Sequence, residues 1–197
     1  MDIISKLKER GFIPFFARGE DDVLEVLKQN IPPHSEIGFG GSQTVEQLGI
    51  PQKLAQEGYV CNHQLTSEIP WNELCVKNRS AKYYITSTNA ITEDGILVNT
   101  DGRANRISAM CYGSEKLFFV LGKNKICEDL NAAFKRIDEV AAPLNAKRLN
   151  KNTPCVKNGK CVKCGVENTI CKATLILYHP TSSMQVYVII VDKELGY

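Results

Sequence analysis

Apolar positions along this chain switch between two spacings. Residues 2–10 read as a short helix ended by Gly11. FIPFFA (12–17) reads as a short extended run, which Pro14 confines to a sheet edge. In DDVLEVLKQN (21–30), Val23, Leu24, Val26 and Leu27 fall on one helical stripe behind two acids, and Pro32 and Pro33 break it. SEIGFG (35–40) predicts a strand running into glycines. TVEQLGI (44–50) starts a helix, LAQEG (54–58) adds a turn, and YVCNH (59–63) is extended. AKYYITSTNAI (81–91) and GILVNT (95–100) predict two strands, with EDG before the second marking a tight turn. ANRISAMCYG (104–113) fits a short helix. The unbroken apolar run KLFFVLG (116–122) predicts a strand buried on both faces.

KICEDLNAAFKRIDEVAA (125–142) gives the clearest helical pattern. Ile126, Leu130, Ala133, Phe134, Ile137 and Val140 share a face, and Pro143 stops it. ATLILYH (173–179) and QVYVIIVD (185–192) predict a closing β-hairpin around PTSS. The alternation of strands and helices favours an α/β layered sheet. No internal repeat or linker divides the 197 residues, so one domain over 1–197 is expected.

Charge and composition narrow the function classes. A net charge of +2 implies no strong pull toward nucleic acid. No stretch reaches the ~18 apolar residues of a membrane span. The amphipathic start MDIISKLKERGF lacks the apolar core of a signal peptide, which points to the cytoplasm. In that compartment eight cysteines do not suggest a disulfide framework.

Three stretches carry candidate chemistry. GFGGSQT (38–44) joins a strand to a helix, where backbone N–H groups can meet an anion and Ser42 and Thr44 add hydroxyls. It lacks the G-x-G-x-x-G spacing and the P-loop lysine, and it also suits a plain tight turn with Ser42 or Thr44 as helix cap. TSTNAITEDGILVNTDGRANR (86–106) gathers Glu93, Asp94, Asp101, Asn89, Asn99, Asn105, Arg103 and Arg106. Carboxylates near a buried arginine suit a polar ligand or an acid–base step, although EDG and TDG are also good turn signals. The third stretch, 155–171, spaces four cysteines as Cys155-x5-Cys161-x2-Cys164-x6-Cys171. Four thiolates suit a [4Fe–4S] cluster or tetrahedral zinc. Without metal, Cys161 and Cys164 form a candidate redox pair. The spacing resembles the cysteine loop of some base-excision glycosylases, and nearby lysines would suit an anionic cluster. His63 and His179 are each isolated.

GFGGSQTVEQLGI, TSTNAITEDGILVNTDGRANRISAM and LGKNKICEDLNAAFKRIDEVAAPLNAKRL, in that order, resemble the LUD domain family. These are the lactate-utilisation proteins, and the likeness is to their small LutC/YkgG-like members, from about residue 2 to the end. The resemblance implies a fold like the sugar-isomerase and CoA-transferase superfamily: a mostly parallel sheet with helices on both faces. It implies a bacterial or archaeal cytoplasmic role near lactate oxidation, beside iron–sulfur and oxidoreductase partners. Carried over by position, Gly40, Gly41, Ser42 and Thr44 would line a pocket that Glu93, Asp101 and Asn105 face. The central run adds Asn99 and Arg106 as ligand contacts, with Glu93 and Asp101 as the catalytic candidates. The chain lacks the C-x2-C-x2-C-x3-C-P run of the larger iron–sulfur member, so it is not that electron-transfer subunit in full.

The leading expectation is therefore an accessory protein of lactate or related organic-acid oxidation. It would have a core that binds a small anionic metabolite and an iron–sulfur loop at Cys155, Cys161, Cys164 and Cys171. The rival is an isomerase- or CoA-transferase-like enzyme acting on a phosphorylated or CoA-linked small molecule, with a structural zinc at the same cysteines. A pure scaffold for other lactate-pathway proteins is the third class. The apolar runs 175–177 and 186–191 suit either core or a homo-oligomer interface.

Overall fold

The computed structural model describes residues 2–165, 167 and 169–197. Its strands are β1 (Ile13–Ala17), β2 (Glu36–Phe39), β3 (Val60–Asn62), β4 (Tyr83–Thr86), β5 (Ala90–Thr92), β6 (Leu97–Asp101), β7 (Lys116–Gly122), β8 (Ile126–Cys127), β9 (Ala173–Leu177) and β10 (Gln185–Val191). Its helices are α1 (Ile3–Glu9), α2 (Glu20–Asn30), α3 (Gln43–Gln47), α4 (Ile50–Gln56), α5 (Trp71–Arg79), α6 (Asn105–Cys111), α7 (Leu130–Arg136), α8 (Ala142–Arg148) and α9 (Pro154–Asn158).

A six-stranded sheet in the order β1-β10-β7-β4-β2-β3 forms the centre, and every pairing in it is parallel. Parallel strands covered on both faces need apolar side chains in both directions. β7 meets that need: Phe118 and Val120 pack in one core cluster, and Leu117, Phe119 and Leu121 in the other. Helices α2, α3 and α4 cover the first face through Val23, Leu27, Val45 and Leu54. Helices α1 and α6 share the opposite face with a second sheet, β8-β5-β6-β9, of mixed direction. A third, smaller core of Ala90, Val98, Ala133 and Ile137 joins the outer face of that sheet to α7. An α/β fold with helices on both faces is thus present, with a second mixed sheet added to the parallel one.

Several local readings need correction. The C-terminal hairpin does not exist. β9 pairs antiparallel with β6 in the second sheet, and β10 lies between β1 and β7 in the first. From Val186 to Val191 every side chain of β10 is buried, which suits an inner parallel strand rather than a hairpin arm with one wet face. The run 81–91 is two strands in different sheets, turned by residues 87–89. The expected helix 125–142 is broken. Lys123–Lys125 is a 3-10 turn, Ile126–Cys127 is β8, and α7 begins at its Asp129 cap.

Pro143 does not end that helix. It occupies the first turn of α8, directly after a π-helical turn at Ile137–Ala141. Proline has no N–H to give to the preceding turn, and a register change there lets the chain continue. Phe134 and Val140, assigned to the buried face, are 37% and 38% exposed. Helix α5 was not foreseen: only Leu74 and Asn78 of it are buried, too sparse a stripe to reveal it. Pro14 does sit in an edge strand, since β1 pairs with β10 alone.

Candidate functional site

Adjacent strands β2 and β4 lead in opposite directions. The chain leaving β2 runs through α3 and α4 to β3 on one side. The chain leaving β4 crosses the other face to β7 on the other side. Connections that diverge in this way open a crevice beyond the strands' C-terminal ends, the usual place for a ligand in such sheets. A cavity of about 500 Å³ lies there, within the range of small-molecule sites. Gly41 and Ser42 border it from the end of β2, Ser87–Asn89 from the end of β4, and Lys125 from the turn after β7.

Arg106 organises one wall. Its Nε donates to Asp101 Oδ1 at 3.0 Å, and the other guanidinium nitrogens donate to Ser87 O, Asn99 Oδ1, Asn89 Oδ1 and Thr100 O. Asp101 Oδ2 also accepts the backbone N–H groups of Arg106 and Ile107, at 3.1 and 3.0 Å, anchoring the start of α6. With all its donor directions occupied, Arg106 acts as a clasp between β6, α6 and the β4–β5 turn. Asn99 is fully buried, and its Nδ2 finds no partner among the described residues.

Lys125 is the unusual group. It is only 4% exposed, yet it borders the cavity. Its Nζ donates to Ser87 Oγ and to the Thr88 carbonyl, both at 3.1 Å. Among the described residues no carboxylate forms an ion pair with it. Burial lowers its pKa to about 7, helped by the positive charges of Arg136 and Arg106. Behind it the tail closes tightly: a Cβ on Gly196 would lie 2.6 Å from Thr44 Oγ1 and 3.3 Å from Lys125 Nζ.

The cavity is strongly basic. Among the described residues six basic side chains border it against three acids, Glu46, Asp101 and Glu167. Asp101 is committed to Arg106, and Glu46 lies 3.7 Å from His63 Nε2. Arg103, Arg148, Lys151 and Lys172 on the exposed rim form no ion pair among the described residues. Arg148 is steered by Asn145 Oδ1 and by the Tyr197 hydroxyl, 2.7 Å from its Nε.

The residues singled out from the sequence separate into groups. Gly41, Ser42, Asp101, Asn105 and Arg106 border the cavity. Ser42 also caps α3, accepting the Val45 N–H at 3.2 Å. Thr44 is buried beside it, at Leu195 O and Ser87 Oγ. Asn99 lies behind Arg106. Gly40 is a packing glycine: a Cβ there would meet Thr86 Oγ1 at 2.5 Å and the Tyr84 hydroxyl at 2.8 Å. Glu93 lies exposed on the β5–β6 turn, away from the cavity residues. Lys125, Ser87 and Thr88 were missed. Read as the first turn of a helix, Lys125 has no visible tie to the site, although its place just after a buried strand was an available signal.

The four-cysteine site is overturned. Coordination needs deprotonated sulfurs converging on one point. Among the described residues no group of three or more His, Cys, Asp or Glu side chains is placed to hold a metal ion. Cys155 is buried in α9, with Thr153 Oγ1 3.2 Å from its sulfur, and Cys161 and Cys164 are half-buried. Burial raises the thiol pKa of Cys161 and of Cys171, and at Cys171 the three other cysteines of the loop push it the same way. Part of the loop, residues 166 and 168, lies outside the described residues. The iron–sulfur cluster and the zinc clip are both withdrawn. With them go the two functions built on them, the iron–sulfur accessory protein of lactate oxidation and the zinc-clipped isomerase or CoA-transferase.

What remains is an α/β domain with a basic cleft at the divergence of its parallel strands. The chain belongs to the LUD domain family, whose model matches residues 1–191. No curated protein matches it. Among solved structures it is similar to one titled as a duf162 family protein from Deinococcus radiodurans, with 12% identity and a TM-score of 0.47, over 95% of this chain and 93% of that one. No helix among the described residues is long and apolar enough to cross a membrane.

Proposed function

We propose that this LUD domain binds a small anionic metabolite in the cleft beyond β2, β4 and β7. One observation carries the reading: Arg103, Arg148, Lys151 and Lys172 surround the cavity mouth without ion-pair partners among the described residues, above the buried Lys125. Unpaired cations around a concave site raise the local concentration of anions and give them charge-assisted hydrogen bonds. In this reading Gly41 and Ser42 supply a close backbone approach. Asp101 holds Arg106 in place, and Asn105 offers a neutral polar contact.

Titration calorimetry at low ionic strength, with sulfate, inorganic phosphate and oxalate as probes and glycerol as a neutral control, tests this. Anions are expected to bind, glycerol is not, and added sodium chloride should weaken the binding. The double variant Arg148→Gln/Lys172→Gln should bind sulfate about tenfold more weakly while unfolding at the same temperature. Absence of heat for every anion, or unchanged affinity in the double variant, would overturn the reading.

A further inference from the structure

We infer that the metabolite is a carbonyl compound with an acidic handle, and that Lys125 captures it covalently as an imine at Nζ. This rests on the anion-binding reading above and adds what the floor of the cleft does to the ligand held by its rim.

The geometry around Nζ suits a neutral amine. A neutral amine has two N–H donors and one lone pair, whereas an ammonium has three donors. Among the described residues Lys125 has two acceptors, Ser87 Oγ and Thr88 O. These take both N–H bonds of the neutral form and leave the lone pair for the cavity. The charged groups bearing on Nζ are Arg106 and Arg136, and both disfavour a proton there. With a pKa of about 7, about half of Lys125 is neutral at pH 7. An ordinary lysine near ~10.4 has a neutral fraction about a thousandfold smaller. A desolvated lysine beside other cations is a known way to make an amine nucleophilic.

The chemistry balances without a redox partner. The Nζ lone pair forms a bond to the carbonyl carbon, and the carbonyl π electrons move to oxygen. The two amine protons leave with that oxygen as water, and the carbon–nitrogen double bond closes. The hydroxyls of Ser87 and Thr44, 3.4 Å apart, give a local route for these protons. The acidic handle then lies toward Arg148 and Lys172, on the rim of the same cavity.

The test is reductive trapping on the full chain. The protein is incubated separately with glyoxylate, pyruvate and dihydroxyacetone phosphate in the presence of sodium cyanoborohydride. Adducts are then located by peptide mass spectrometry. At least one probe is expected to add to Lys125 ahead of the other lysines, saturably, with sulfate suppressing the adduct. Lys125→Arg and Lys125→Met should lose that adduct, and circular dichroism reports whether each variant is folded. Adducts spread evenly over surface lysines, or none at Lys125 while sulfate still binds by calorimetry, would overturn the nucleophile and leave the anion cleft intact. If sulfate does not bind either, both readings fall together. A second measurement needs no variant. Trinitrobenzenesulfonate at pH 7 should label Lys125 faster than the exposed lysines, and slower labelling there would count against the inference.

Discussion

Lys125 is protonated in the fold at a cost, and the cost depends on pH. Its pKa is about 7 in the folded chain and near ~10.4 when unfolded, so the unfolded state holds the proton more tightly. Between these values unfolding takes up a proton, and stability rises with pH. Below about 7 both states are protonated and the penalty is complete, on the order of a few kcal/mol. Lys125→Met removes it. Denaturant titrations from pH 6 to 10 should show the variant gaining most over the parent at pH 6, with the difference shrinking as pH rises. Met also leaves Ser87 Oγ and Thr88 O without their donor, but that loss is constant with pH and does not change the slope. A flat difference would mean that Lys125 titrates normally. The glycine pair gives a second residue-scale prediction. Gly40→Ala drives a Cβ against Thr86, Tyr84 and Arg106 and should cost about 1–3 kcal/mol. Gly41→Ala meets no atom within 4 Å and should fold normally, yet bind sulfate more weakly because it intrudes on the cavity. The sequence marked both glycines alike, since their difference lies in what the strand β4 and helix α6 place against them.

Elements β10 and β6 show where pattern alone misleads. An apolar run such as QVYVIIV is equally compatible with a covered hairpin and with an inner parallel strand, because burial on both faces does not identify the neighbours. The partners of β10 are β1 and β7, more than sixty residues away, and nothing local encodes that pairing. Val188 and Ile189 are both fully buried, in opposite core clusters. Val188→Ala and Ile189→Ala should each destabilise, by about 1–3 and about 2–5 kcal/mol in urea titrations. A hairpin arm with one wet face would leave one of the two silent. Arg106 acts between elements, and Arg106→Met should be severe, about 3–5 kcal/mol by thermal or urea unfolding, because it strands the largely buried Asp101 carboxylate and the Ser87 and Thr100 carbonyls. Its place in a dense polar run was legible. Its commitment to β6, α6 and the β4–β5 turn was not, since those contacts exist only once the second sheet is folded against the first.

On the scale of the whole molecule, the basic cleft couples binding to stability. An anion that occupies it only in the folded state should raise the melting temperature, with about 2.7 kcal/mol of stabilisation at a hundredfold excess over its Kd. A thermal scan with and without sulfate at constant ionic strength checks this, and an unchanged melting temperature would count against the site. The sequence by itself determined the α/β class, the buried β7 strand, the edge position of β1 and the family to which the chain belongs. These depend on hydrophobic period, on proline's missing N–H and on long runs of characteristic residues, all of which are local properties. Tertiary structure alone decided that β10 is an inner strand, that a second sheet exists, and that the four cysteines make no metal group among the described residues. It also decided that Lys125 is a buried amine at the floor of a cation-rimmed cleft. Those depend on which distant segments meet, and therefore on desolvation and charge neighbours that no stretch of sequence carries within itself.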